Sequence, residues 1–171
     1  LKQDVRTSHI PVVLLTAKGS VHDQKTGYDA GADSYLTKPF SSNLLMSRLK
    51  NILEARKKLW LANSSGFKDK RQILNDSIGE LDKDFLKKLT EVIEGNLEDE
   101  EMNISYIATQ MNMSHSTLYR KIKALTNLTA NEFIRKVRIN YAEQLLLTNK
   151  YNISEIMYRI GINSSSYFRQ C

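Results

Sequence analysis

Between Ile104 and Gln170 the chain writes one pattern twice. Ile104-Ser105-Tyr106-Ile107 returns as Ile153-Ser154-Glu155-Ile156. Met111 and Met113 return as Ile160 and Ile162, and Ser114, Ser116 and Leu118 return as Ser164, Ser166 and Phe168, with Asn163 inserted in the second copy. Each copy reads as a short apolar-periodic helix, a turn at Asn112 or Gly161, and a second helix opened by serines. Two helices joined by so short a turn bury a shared apolar seam and leave the second helix's outer face free. That is the shape of a helix-turn-helix. A tandem pair implies one chain reaching two consecutive major-groove segments of double-stranded DNA.

The join between the copies supports this. Thr129-Ala130-Asn131-Glu132 has the form in which Thr and Glu reciprocally satisfy orphan backbone N–H groups at a helix start. It opens a long helix through about Thr148, carrying Phe133, Ile134, Val137, Tyr141, Leu145 and Leu146. At 1.5 Å per residue the spacer is roughly 28 Å long, close to the ~34 Å pitch of B-DNA.

On the helix after Ser114, a 100° turn per residue puts Ser116, Tyr119, Arg120 and Lys123 on one side, with Leu118, Ile122 and Leu125 nearly opposite. Ser164 begins a helix presenting Ser165, Ser166, Arg169 and Gln170, with Phe168 inward. Arginine offers guanine O6 and N7 a two-pronged donor, and glutamine suits adenine N6 and N7. Arg135, Lys136 and Arg138 on the spacer could touch phosphates, but a solvated basic face is the favoured reading. An ordinary helical bundle would also show such polar faces; the repetition, charge and spacer together favour DNA.

The net charge of +6 is unevenly spread. Residues 102–171 carry nine Lys/Arg against three Asp/Glu, while 59–101 carry six against eleven. Positive charge therefore gathers where the repeat lies, as a phosphate-binding surface requires. No apolar run approaches the roughly 18 residues that span a bilayer, so no membrane contact is expected of this segment. The sole cysteine, Cys171, has no internal partner, and His9, His22 and His115 are scattered. A cytoplasmic setting is expected, with membrane anchorage of the parent left open. Without a nucleophile–base pair, metal-ligand spacing or glycine-rich phosphate loop, the chain does not read as an enzyme.

The first 58 residues read as α/β. Pro11-Val12-Val13-Leu14-Leu15 is the continuous apolar run of a strand buried on both faces of a parallel sheet. A helix from Val21 to about Ala30 follows and Gly31 stops it. Ser34 to Thr37 form a second strand, and Ser41 or Ser42 caps a helix with Leu45, Leu49 and Ile52 on one face, ending at Arg56-Lys57-Lys58. Residues 59–81 read as a linker. Asp82 is expected to cap a helix to about Glu94, with Phe85, Leu86, Leu89, Val92 and Ile93 inward and Gly95 as its stop. Thr16 and Lys38 end their strands at the same, C-terminal, sheet edge, where open α/β sheets bind ligands. A hydroxyl and an ammonium there suit a phosphoryl group.

Residues 82–171 resemble the AraC-type DNA-binding domain, with two helix-turn-helix units joined by a long helix. That resemblance implies base-reading roles for Ser116, Tyr119 and Arg120 in the first unit, and for Ser165, Ser166, Arg169 and Gln170 in the second. Against the family pattern the second recognition helix is cut short at Cys171. The run Gly31-Ala32-Asp33-Ser34-Tyr35-Leu36-Thr37-Lys38-Pro39-Phe40 resembles the end of a response-regulator receiver domain, which has a flavodoxin-like fold. It implies that Thr16 senses a phosphoryl group, Lys38 pairs with it, Pro39 follows a cis peptide and Tyr35 is the switch aromatic. The receiver's acidic metal pair and phosphoacceptor aspartate would precede residue 1. No cofactor is therefore expected in this fragment, with Mg²⁺ expected for the complete receiver.

The expectation is the C-terminal piece of a two-component transcription regulator. It comprises half a receiver at 1–58, a linker at 59–81 and an output domain at 82–171. The resemblance implies a homodimer formed through the receiver face and a histidine kinase partner, in the same polypeptide as in hybrid sensor kinases or in another. The alternative is a protein-interaction module that docks RNA polymerase or another regulator without touching bases.

Overall fold

A computed structural model of the chain describes residues 1–17, 20–64, 79–99 and 102–171. It divides into two compact units, Leu1–Lys83 and Asp84–Cys171.

In the first unit, β1 (Val13–Thr16) and β2 (Ser34–Thr37) pair in parallel, with Val13 opposite Ser34 and Thr16 opposite Thr37. The crossover between them is α1 (Val21–Asp29), whose N-cap Ser20 accepts from the Asp23 N–H at 3.1 Å. Gly27 is buried in this helix. A Cβ there would lie 2.9 Å from the Tyr35 ring and 3.0 Å from Leu14, so its bare backbone is what lets α1 lie close on the sheet. Gly31, at φ 87°, ends the crossover in the left-handed region that glycine adopts without penalty.

Three expectations for this unit need correction. The first strand starts two residues later than its apolar run, and it is not buried on both faces. With β2 as its one partner among the described residues, Leu15 is 44% exposed. The helix after Phe40, α2 (Ser42–Ser64), does not end at Lys58 but runs six residues into the stretch expected as linker. Its start is as anticipated, for the Ser41 hydroxyl accepts from the Leu44 N–H at 3.2 Å. Leu45 and Ile52 are half-buried, while Leu49 is exposed. Arg56, in the basic run expected to end this helix, donates to the His9 carbonyl. Burial lowers the pKa of that guanidinium, opposed by the nearby Asp33 carboxylate. The rest of the expected linker, 65–78, lies outside the described residues.

Helix α3 (Glu80–Glu94) begins two residues before the expected cap, with the Gly79 carbonyl accepting from the Asp82 and Lys83 N–H groups. Asp82 therefore lies inside the first turn rather than at the N-cap. Phe85, Leu89 and Ile93 form its buried stripe, as the 3.6-residue period requires.

Among the described residues the regular elements of the second unit are all helices: most of α3, then α4 (Ile104–Gln110), α5 (His115–Thr126), α6 (Ala130–Leu147), α7 (Ile153–Arg159) and α8 (Ser165–Gln170). The capping box at Thr129 is present in full. Glu132 Oε2 accepts from the Thr129 N–H at 2.7 Å, and the Thr129 hydroxyl accepts from the Glu132 N–H at 3.3 Å. Helix α6 has 18 residues, about 27 Å of rise. The core joins Leu89, Ile93, Ile107, Leu118, Ile122, Phe133 and Val137 with a second cluster of Ala142, Ile156, Ile160 and Ile162.

Candidate nucleic-acid interface

The two copies fold alike, and their turns match down to single hydrogen bonds. Asn103 caps α4, accepting from the Ser105 and Tyr106 N–H groups, and Asn152 caps α7, accepting from the Glu155 N–H. Each helix then ends in the same turn. Asn112 N–H donates to Thr109 and Met113 N–H to Ala108; Gly161 N–H donates to Tyr158 and Ile162 N–H to Met157. This is the paired closing bond of a left-handed helix end, and the turning residues have φ 51° at Asn112 and φ 62° at Gly161. Glycine is needed only in the second copy. A Cβ at 161 would meet the Leu97 carbonyl at 2.5 Å, whereas asparagine tolerates the left-handed region where there is space.

Both recognition helices open on a serine cap. Ser114 Oγ accepts from the Thr117 N–H at 3.2 Å and Ser164 Oγ from the Tyr167 N–H at 3.3 Å. The serine two residues on leans on the cap, at 3.2 Å for Ser116 and 2.9 Å for Ser166. In α5 the apolar Leu118, Ile122 and Leu125 are buried, and Ser116, Tyr119, Arg120 and Lys123 are exposed. In α8, Phe168 packs against the second cluster, and Ser165, Ser166, Arg169 and Gln170 are exposed. The structure thus gathers the expected residues on the outward face of each recognition helix.

Three cations depart from their expected setting. Lys123 is exposed, but its Nζ donates to the Asn127 carbonyl at 2.7 Å, closing the end of α5. A cation there complements the helix's negative end, so reaching a base would mean giving up that cap. Arg138 is not a solvated side chain. Its fork bridges the carbonyls of Gly161 at 3.0 Å and Asp99 at 3.1 Å, and burial lowers its pKa. Lys136 is half-buried and its pKa too is lowered by desolvation. Arg135 keeps the exposed position expected of it. Its pKa is raised, first by its hydrogen bond with Tyr167 on α8.

Lys121 was not anticipated. It is fully buried, with its ammonium 4.7 Å from the centre of the Phe85 ring. The signal was available: it lies three residues after Leu118 and four before Leu125, on the apolar stripe. Its long stem fills that stripe while the charge meets a ring face.

In the first unit, Thr16 and Lys38 meet at the C-terminal sheet edge, where the Lys38 N–H donates to the Thr16 carbonyl at 2.7 Å. Thr16 is half-buried and Lys38 exposed. The Lys38–Pro39 peptide is cis, as the resemblance implied. Tyr35 is half-buried, its ring 6.4 Å from that of Tyr28. A hydroxyl and an ammonium suit phosphoryl oxygens rather than a divalent cation.

Comparison with known proteins matches residues 107–171 to the helix-turn-helix domain family. Residues 107–171 are an AraC-type helix-turn-helix domain. Over the whole chain, the sequence is similar to Histidine kinase P4 of Formosa agariphila, with 41% identity over 173 residues. It is also similar to the probable transcriptional regulator ycf29 of Pyropia yezoensis, with 34% identity over 77% of the chain. The chain spans 12% of the first relative's length and 64% of the second's. Among solved structures, the C-terminal domain of AraT, a response regulator from Geobacillus stearothermophilus, covers 50% of the chain and 70% of its own. It aligns at 25% identity and a TM-score of 0.44. No helix among the described residues is long and apolar enough to cross a membrane.

Proposed function

We propose that this chain is the output portion of a two-component phosphorelay. In this reading it is a sequence-specific DNA-binding transcription regulator, with residues 1–58 as part of a receiver and 82–171 as its AraC-type output domain. One observation carries the DNA reading. Two recognition helices with the same serine cap turn an apolar side inward, buried at Leu118, Ile122 and Leu125 in the first and half-buried at Phe168 in the second, and expose the side chains assigned to base reading. These are Ser116, Tyr119 and Arg120 on the first helix, and Ser165, Ser166, Arg169 and Gln170 on the second. The excess of nine Lys/Arg over three Asp/Glu in residues 102–171 supplies the attraction to phosphates.

In the first unit, Thr16, Lys38 and Tyr35 would respond to a phosphoryl group at the sheet edge, Lys38 as its counter-charge and Tyr35 as the ring that shifts. The response would favour pairing of two receivers and so bring two output domains onto one duplex. A histidine kinase, in the same polypeptide or another, would supply the phosphoryl group. The similarity to Histidine kinase P4 along the whole chain supports the arrangement in one polypeptide, and a cytoplasmic setting belongs to the same reading.

The test is equilibrium binding of the chain to a random-sequence duplex pool across a salt series. Binding should weaken steeply with added salt, roughly in proportion to the number of phosphates neutralised. Arg120→Ala should weaken the selected duplexes by about tenfold. Salt-insensitive binding, or no loss in Arg120→Ala, would overturn the proposal in favour of a protein-docking module.

A further inference from the structure

We propose that Arg138 is a positioning residue that locks the two reading heads at one angle, and so sets the spacing of the DNA segments the domain accepts. The second half of that statement rests on the DNA reading above.

The principal helix pairings run α4 on α5, α5 on α6 and α6 on α7, so each reading head is carried on the spacer. A second connection closes the ring. The loop after α3 leads into the first head, and it is held from four directions. Tyr106 of α4 donates its hydroxyl to Asn96 Oδ1 at 3.1 Å. Arg159 of α7 lies 3.8 Å from Glu98. The Leu97 carbonyl occupies the place a side chain at Gly161 would need. Arg138, at the middle of α6, then donates one arm of its fork to Asp99 and the other to Gly161. Asp99 belongs to the loop entering the first head, and Gly161 is the turn of the second.

The geometry makes Arg138 directional rather than merely adhesive. A planar guanidinium satisfies two carbonyls at once only while they keep their separation and angle. Swinging the second head by a few ångströms lengthens one of the two bonds past hydrogen-bonding range. One inserted base pair demands such a swing, displacing the second DNA segment by about 3.4 Å and turning it by about 34°.

Two measurements on the 171-residue chain test this. The first compares binding to duplexes selected from a random-sequence pool with binding to the same duplexes carrying one extra base pair between the two contacted segments. The wild-type chain should lose about tenfold or more on insertion, the size of a single mismatch. Arg138→Met should lose less than about threefold, and Arg138→Lys should fall between. A merely structural role would lower the melting temperature and weaken both duplexes alike, leaving the ratio at its wild-type value; that result overturns the proposal.

The second measurement needs no DNA. Spin labels are placed through His115→Cys and Ser165→Cys on a Cys171→Ser background, and the inter-label distance distribution is recorded with Arg138 and with Arg138→Lys. A narrow distribution that broadens in the variant supports the lock, and equal widths overturn it. Absence of any duplex binding would overturn the DNA reading alone, because the distance measurement still decides the geometry.

Discussion

Nε of Arg120 donates to the Ser116 carbonyl at 3.3 Å, and Nε of Arg169 donates to the Ser165 carbonyl at 3.2 Å, so both arginines fold back on their own helices in one posture. They are not equivalents, however. With the caps Ser114 and Ser164 aligned, Arg169 takes the place of Tyr119, and Gln170 that of Arg120. The two heads share a backbone and a frame while presenting a phenol and a guanidinium on one, a guanidinium and a carboxamide on the other.

The first prediction concerns this offset. Arg120→Ala and Arg169→Ala should each weaken selected duplexes by about tenfold, from the 1–3 kcal/mol of a bidentate base contact. Each should relax base preference within a different segment, and the two segments should not be copies of one sequence. Sequencing of duplexes selected by each variant checks this. Uniform weakening across all sequences would instead mark both arginines as phosphate contacts.

Lys121 should behave as a core residue despite its charge. Lys121→Ala removes a fully buried stem and should cost about 2–5 kcal/mol in chemical denaturation. Lys121→Met, which keeps the volume, should recover much of that. A double-mutant cycle with Phe85→Leu should return a coupling of about 0.5–2 kcal/mol. A coupling of zero would mean that the ring contact contributes nothing.

The paired turns should respond unequally to substitution. Gly161→Ala places a side chain in the left-handed region and 2.5 Å from the Leu97 carbonyl. The backbone strain alone costs about 1–3 kcal/mol, and the collision adds to it. Asn112→Gly should leave stability within about 1 kcal/mol, since glycine adopts the same φ freely. Melting curves of the two variants test the contrast; equal losses would refute it.

Acid should loosen the start of the spacer helix. The Thr129 N–H, and then its hydroxyl, hold the Glu132 carboxylate below the ordinary glutamate range. A depressed folded-state pKa contributes stability that is complete above the unfolded value, about 4.3 for glutamate, and is lost as pH falls through the folded value. Stability measured from neutral pH downward should fall below that point. In Glu132→Gln the same descent should be shallower, because the amide still accepts the N–H and does not titrate. Parallel curves for the two proteins would show that Glu132 is not responsible.

How legible the candidate interface was depended on what each residue needs. Ser114, Ser164, Asn112 and Gly161 stood out because caps and left-handed turns are decided within a few residues. The outward set on α5 and α8 followed from a 100° step applied to Leu118, Ile122 and Phe168. Lys121 is less legible, because an ammonium ordinarily marks a surface position and only its place on the apolar stripe argues for burial. Arg138 reads as solvated from the sequence because its partners, the carbonyls of Asp99 and Gly161, are 39 and 23 residues away and carry no side-chain signature. The end of α2 is hidden for a different reason: Arg56 to Lys58 resembles a terminus, yet a helix ends only where its hydrogen bonding stops, and basic residues do not stop it.

Periodicity, capping and the duplicated pattern were therefore determined by the sequence itself, since each arises from backbone hydrogen bonds and side-chain spacing within one or two helical turns. Tertiary structure alone decided that Arg138 joins the two heads, that Lys121 lies under a ring, and that position 161 has no room for a Cβ. Those outcomes depend on backbone atoms brought together from distant parts of the chain, and the residue names along it do not encode such distances.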